Sequence, residues 1–248
     1  MDKQRFFIDT QGNDYKAYKD AILLACKLAD SNSAIKKIIL LVHAKQNAVL
    51  FTNVFNDQLA KKLSTVGTTF DDYKTLVKIE TLSTYKDIHQ ASDVVITCML
   101  DSEQVFTIDD FYGVNTIIAV PWLKDGIDKW AKTWKATEIR TQQDAIAYSD
   151  PSSVIIKALE ILTESVNLSN HATFHPSDED SVKTYIRALK KYEPFIDADI
   201  VRAYLVRELN WGSGLANKIE ELINTLNSGG SFKGGQTTGL KDYYDMWK

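Results

Sequence analysis

The sequence predicts an α/β chain: a three-layer, Rossmann-like parallel sheet domain followed by a smaller all-α domain, with a winged-helix-like arrangement as one option for the latter. Three observations carry this. Between residues 5 and 140, short apolar runs alternate with helix-periodic segments about five times. Such alternation implies parallel strands joined by right-handed helical crossovers. The runs KIILLVH (37–43), DVVITCML (93–100) and NTIIAVP (115–121) are apolar without alternation, as strands buried on both faces are. After Asp150 the strand pattern stops and helical periodicity alone remains.

Residues 5–9 (RFFID) read as the first strand, closed by the turn formers Thr10, Gln11, Gly12, Asn13 and Asp14. A helix follows, with apolar residues at 15, 18, 22, 25, 26 and 29 and Asp14 as its N-cap. After strand 37–43, residues 47–66 admit two readings. The preferred one is a helix with Ala48, Phe51, Phe55, Leu59, Leu63 and Val66 on one face. The other is a strand at 48–52, hairpinned through 45–47, with a helix from Asn56. Residues 75–82 alternate in part, which suits a strand near a sheet edge. Strand 93–100, a short helix at 102–112, strand 115–121 and a helix at 125–135 follow, the last with Ile127, Trp130, Ala131 and Trp134 as its stripe. A short strand at 136–140 completes the sheet.

Asp150-Pro151 suits a helix start. That helix carries Val154, Ile155, Ala158, Leu159, Leu162 and Val166 on one face and is expected to pack back on the sheet. The Rossmann-like domain is therefore expected at 1–166, a polar linker at 167–177 and the helical domain at 178–248. Helices are expected near 178–192, 197–210, 215–227 and 240–247, with Ser177 and Asp180 spaced as a capping box.

The net charge of −4 lacks the basic excess of a free-standing nucleic-acid binder, so DNA is not an expected partner. Cys26 and Cys98 both lie in apolar runs, which does not suit a disulfide framework. No signal-peptide pattern opens the sequence, and no run approaches the ~18 apolar residues of a membrane helix. The expectation is a soluble, cytoplasmic protein without a membrane partner.

Ligands of open parallel sheets bind outside the carboxyl ends of the strands, where helix N-termini also point. The residues placed just past each buried strand are thus the candidate ligand-binding set: Asp9, Thr10, Gln11, Gly12 and Asn13, then His43, then Asp101 and Ser102, then Trp122. An acid, an imidazole, a hydroxyl and an indole on one rim suit a small nucleotide-like or phosphorylated ligand. Against this stand plainer readings: Asp14 and Asp101 as helix caps, His43 as a strand-end residue, Cys98 as inert core and Trp122 as packing. The 9–13 loop resembles the metal-site loop of von Willebrand factor A domains, where an Asp-x-Ser-x-Ser loop follows the first strand. Gln11 and Asn13 replace both serines, so neither metal nor cofactor is carried over. Gln11 also stands where haloacid-dehalogenase-type phosphatases have a second aspartate.

His171 and His175, four apart, sit in a polar stretch beside Pro176 and read as solvated linker rather than metal ligands. The glycine-rich stretch 228–239 lacks the strand before it and the Gly-Lys-Thr close of a phosphate loop. It suits the wing of a winged helix, with 198–210 and 215–227 as the helix pair around Gly212-Ser213-Gly214. Lys218 against Glu220 and Glu221 is unsuited to a major groove, so a protein-interaction module is preferred. Tyr243 and Trp247 share one face of the closing helix, as a docking contact would.

Two function classes follow. One is a non-catalytic sensor or adaptor with a small ligand and a protein partner or homo-oligomeric state. The other is a small-molecule hydrolase or transferase on the same rim. A structural subunit of a larger complex is a third option, since parallel α/β folds host all of these.

Overall fold

The computed structural model describes residues 3–70, 73–169 and 173–248. It contains two compact units, Met1–Ala147 and Tyr148–Lys248. The first is an α/β unit, the second is helical.

The α/β unit is built on strands β1 (Gln4–Phe7), β2 (Lys37–Val42), β3 (Leu76–Thr81), β4 (Asp93–Cys98), β5 (Val114–Val120), β6 (Thr137–Glu138) and β7 (Gln143–Asp144). Their order in the sheet is β3-β2-β4-β5-β1-β6-β7. All neighbours run parallel except β6 and β7. The three continuous apolar runs are interior strands, and the partly alternating one, β3, is an edge, as expected.

The helices are α1 (Tyr15–Ser31), α2 (Leu50–Val54), α3 (Asp57–Thr65), α4 (Ser102–Asp109) and α5 (Asp128–Trp134). From β1 to β2 to β3 the chain moves one way across the sheet, and from β4 through β5 to β6 it moves the other way. Right-handed crossovers then place α1, α2 and α3 on one face and α4 and α5 on the other. The core follows this division. Ile38, Leu40, Val42, Val94, Ile96 and Cys98 cluster with Ala17, Tyr18 and Ala21 of α1, Phe51 of α2 and Leu63 of α3. The intervening Ile39, Leu41, Val95 and Thr97 are equally buried, on the opposite face. Each such aliphatic side chain stabilises the unit by about 1.5–3 kcal/mol.

Residues 47–66 form neither the single helix preferred from sequence nor a strand. A 3-10 turn (Lys45–Val49) runs into α2, Phe55 is extended, and α3 starts afresh. Asn56 causes the restart, because its side chain accepts the Leu59 N–H at 2.8 Å and caps α3. The last strand of the sheet was not foreseen: β7 turns back antiparallel onto β6.

Asp93 opens β4 inside the fold, accepting from the Tyr85 hydroxyl at 3.1 Å and the Ser92 hydroxyl at 3.2 Å. Burial pushes its carboxyl above the usual aspartate value, more than these hydrogen bonds lower it. The folded state therefore holds this proton more tightly than the unfolded chain does. The group's stability contribution is fully present below about pH 3.9 and is lost as pH rises through the raised folded value. Asp93→Asn has no such loss. In urea titrations from about pH 4 to 7, the stability difference between the two should move in favour of the variant as pH rises. A pH-independent difference would contradict a raised value.

The helical unit comprises α6 (Ser153–Ser165), α7 (Pro176–Tyr192), α8 (Ala198–Arg207), α9 (Ser213–Asn227) and α10 (Leu240–Trp247). Within the helical unit the apolar face of α6 packs against α7 and α10. Its cap is Ser152 rather than Asp150, whose carboxylate pairs with Arg207 at 2.7 Å. Helix α7 begins at Pro176, with the His175 ring as cap, two residues ahead of the expected start. Phe174 packs edge-on against Trp211, with ring centres 5.9 Å apart, so this part of the supposed linker is anchored. His171 lies outside the described residues.

Between α8 and α9, the fully buried Arg202 binds Asn217 and Glu220, the latter at 3.3 Å. Residues 228–239 contain no strand, so no wing is formed. They wrap α7 instead: Gly235 N–H donates to Asp180 and Gln236 N–H to the Thr184 hydroxyl, both at 2.8 Å, while Arg187 holds the carbonyls of Phe232 and Gly234. Gly235 has φ +68°, and a Cβ there would lie 2.8 Å from Lys183 Cβ and 3.0 Å from the Asp180 carbonyl. Close approach to a helix, rather than phosphate binding, accounts for a glycine at this position.

Candidate ligand site on the carboxyl-end rim

Four adjacent parallel strands, β2, β4, β5 and β1, deliver the sequence-derived residues to one rim. Their following helices alternate between faces at two places, between β2 and β4 and between β5 and β1. Both are topological switch points, where the crevice of such a sheet lies.

At the β5/β1 switch, the Gly12 N–H donates to the Trp122 carbonyl at 2.7 Å, joining the two loops. Gly12 has φ +66°, and the space beside it is open. Trp122 is 42% exposed and its neighbour Leu123 62%. The Thr10 hydroxyl donates to Asp14 at 2.8 Å. Asp14 also accepts the Ala17 N–H at 3.0 Å, capping α1, and pairs with Arg140 at 3.0 Å. Partial burial works to raise its carboxyl, but hydrogen bonds from Arg140, Thr10 and Ala17 outweigh it and hold the group below the usual range. Gln11 and Asn13 are exposed.

At the β2/β4 switch, Asp101 and Gln104 form a capping box at the start of α4, with bonds of 2.9 and 3.2 Å. The Gln104 amide oxygen accepts in that box, so its nitrogen donates to His43 Nδ1 at 3.0 Å. A neutral His43 then carries its proton on Nε2 and presents a donor to solvent. Ser102 is buried, and its N–H and hydroxyl both donate to the Gly126 carbonyl, at 3.0 and 3.2 Å. It fixes the β5 loop and is unavailable to a ligand.

The N-termini of α1 and α4 are thus occupied by the chain's own carboxylates, Asp14 and Asp101, where a phosphate would otherwise bind, while α5, which follows β5, has no side-chain cap. Cys98 is fully buried and its thiol is pushed up by burial, as is Cys26, to about 11. Neither supplies a thiolate near neutral pH.

Asp9 stands apart from the other rim residues. It borders an open cleft of about 420 Å³ on the β6 side, with Phe7, Glu138, Arg140, Asp144 and Ile146. Glu138 is buried and organises this turn, accepting the N–H groups of Asp9, Arg140 and Thr141. Sequence reasoning missed the cleft because the β6–β7 turn carries none of the usual turn residues: Gln142, not glycine or asparagine, takes the left-handed conformation at φ +58°.

Residues 151–248 match the family model described as Domain of unknown function (DUF1889). The matched segment falls within the helical unit, Tyr148–Lys248, and includes α6. No curated protein and no solved structure matches the chain.

Proposed function

We propose that the protein is a non-catalytic sensor or adaptor whose α/β unit binds a small nucleoside-like ligand on this rim and whose helical unit serves a protein partner. The observation that supports it most is the indole ring of Trp122, a residue 42% exposed whose carbonyl takes the Gly12 N–H across the switch point. Stacking on that ring suits a planar heterocycle. His43 lies two strands away, about 10 Å at sheet spacing, which is the reach of a nucleoside. Its Nε2–H suits a carbonyl or hydroxyl oxygen.

With the N-termini of α1 and α4 self-capped, recognition rests mainly on the base and sugar rather than on phosphate. No helix among the described residues is long and apolar enough to cross a membrane. The test is an isothermal calorimetric titration with the common nucleosides and their triphosphates, after native mass spectrometry for co-purified ligand. A nucleoside should bind at least as tightly as its triphosphate. Trp122→Ala and His43→Ala should each weaken binding by about tenfold, with a melting temperature within about 2 °C of wild type. Binding unchanged in both variants, or binding that requires the phosphates, would refute the reading.

A further inference from the structure

The two edges of the sheet are treated differently. At β3, Thr68 pairs with Val77 through two backbone hydrogen bonds of 2.9 and 2.8 Å, covering part of that edge. At β7, Ala145 N–H donates to the Ala136 carbonyl at 2.8 Å, and the register pairs Asp144 with Thr137. The alternation of an antiparallel pair then turns the peptide groups of Asp144 and Ile146 away from β6, toward the open side. Ile146 is 88% exposed, the most exposed of the large apolar side chains described.

The cleft lies against this edge, its apolar surface from Phe7 and Ile146 and its charge from Asp9, Glu138 and Asp144. Arg140, the one cation among the lining residues, is already held between Asp14 and Asp20, each at 3.0 Å. Lys135 reaches Asp144 only at 3.9 Å. An unpaired strand edge, an exposed isoleucine and an acidic cleft whose own cation is committed elsewhere form one continuous surface.

We propose that this surface binds an extended basic segment of a protein partner, added as a strand along Gln143–Ile146. Main-chain hydrogen bonds to Asp144 and Ile146 would give affinity. Alternate side chains of the added strand fall on one face, so a lysine or arginine enters the cleft toward Asp9 and Asp144 while an apolar residue two positions on covers Ile146. This site is separate from the Trp122 rim, and the test separates the two readings.

The probe is a fluorescein-labelled peptide in which lysine and valine alternate along one strand face, with threonine at the intervening positions, titrated into the full-length protein at near-physiological salt. It should bind. Replacing lysine by glutamate, or N-methylating alternate amides so that strand pairing is blocked, should each weaken binding by about tenfold or more. Asp144→Lys and Ile146→Asp should do the same, with circular dichroism and melting temperature unchanged because both side chains are exposed. Trp122→Ala should leave peptide binding intact. No binding of the lysine–valine peptide overturns the proposal. So does equal binding of the N-methylated peptide, or undiminished binding to both edge variants, since either would mean diffuse attraction to an acidic protein.

Discussion

Asp109→Ala is expected to remove about 3–5 kcal/mol of stability from the α/β unit, the usual cost of breaking a buried charged pair from one side. Asp109 closes α4, and its side chain is only 2% exposed. Both of its oxygens take hydrogen bonds from Arg5 of β1, at 2.9 and 3.1 Å. The Trp130 indole N–H donates to it at 2.8 Å, and the Arg5 guanidinium stacks 3.6 Å above the Trp134 ring. Lys3 adds hydrogen bonds to the carbonyls of Asp109 and Phe111. One carboxylate therefore ties β1, α4 and α5 together. Its removal strands the Arg5 charge and leaves the Trp130 N–H without its acceptor. Native-state hydrogen exchange of β1 and β5 amides reads the loss in this unit alone. A double replacement, Arg5→Leu with Asp109→Leu, should recover much of it, because an apolar pair leaves no uncompensated charge. A loss below about 1 kcal/mol for the single variant would show that the pair is not the anchor described.

That anchor marks the limit of what the sequence made legible. The interior strands were readable because burial on both faces demands uninterrupted apolar residues, as in 37–43, 93–100 and 115–121. The rim followed from strand direction alone, and His43, Asp101, Trp122 and Gly12 do stand on adjacent strand ends. What each rim residue does was less visible. Ser102 looked like a ligand hydroxyl, yet it is spent within the fold, because its hydrogen-bond partner Gly126 comes from a loop distant in sequence, while the Thr10 hydroxyl donates locally to Asp14. The strand order, with β1 between β5 and β6, was also hidden, since local periodicity carries no information on which strands pair. Arg5 and Asp109 gave no signal: a charge in a strand and a charge at a helix end each have a solvated reading until the fold brings them together. In the helical unit, the polar and glycine-rich stretches were taken as a linker and a wing. Phe174 and the backbone around Gly235 instead pack on their own unit.

The largest effect expected in the helical unit comes from Trp247. It is 1% exposed, although it lies on the last helix of the chain. Its ring centre is 4.9 Å from that of Tyr185 on α7, and Tyr243 and Tyr244 lie at 6.5 and 6.4 Å. Tyr244 adds a hydroxyl bond to Glu193 at 2.7 Å. These contacts fasten α10 to α7, as the spacing of Tyr243 and Trp247 suggested. Trp247→Ala leaves a cavity that neighbours on two rigid helices fill poorly, so a loss of about 3–5 kcal/mol is expected. Trp247→Phe should behave differently. The indole N–H is buried without a hydrogen-bond partner in the described structure. Deleting it relieves a desolvation cost of about 1–3 kcal/mol, which offsets part of the lost packing area. Phenylalanine should therefore lose roughly half as much as alanine, or less. Hydrogen exchange of α7 amides in the full-length protein distinguishes the outcomes. Equal losses for the two variants would mean that the N–H is satisfied in solution, and a loss below about 1 kcal/mol for alanine would mean that α10 does not hold the unit together.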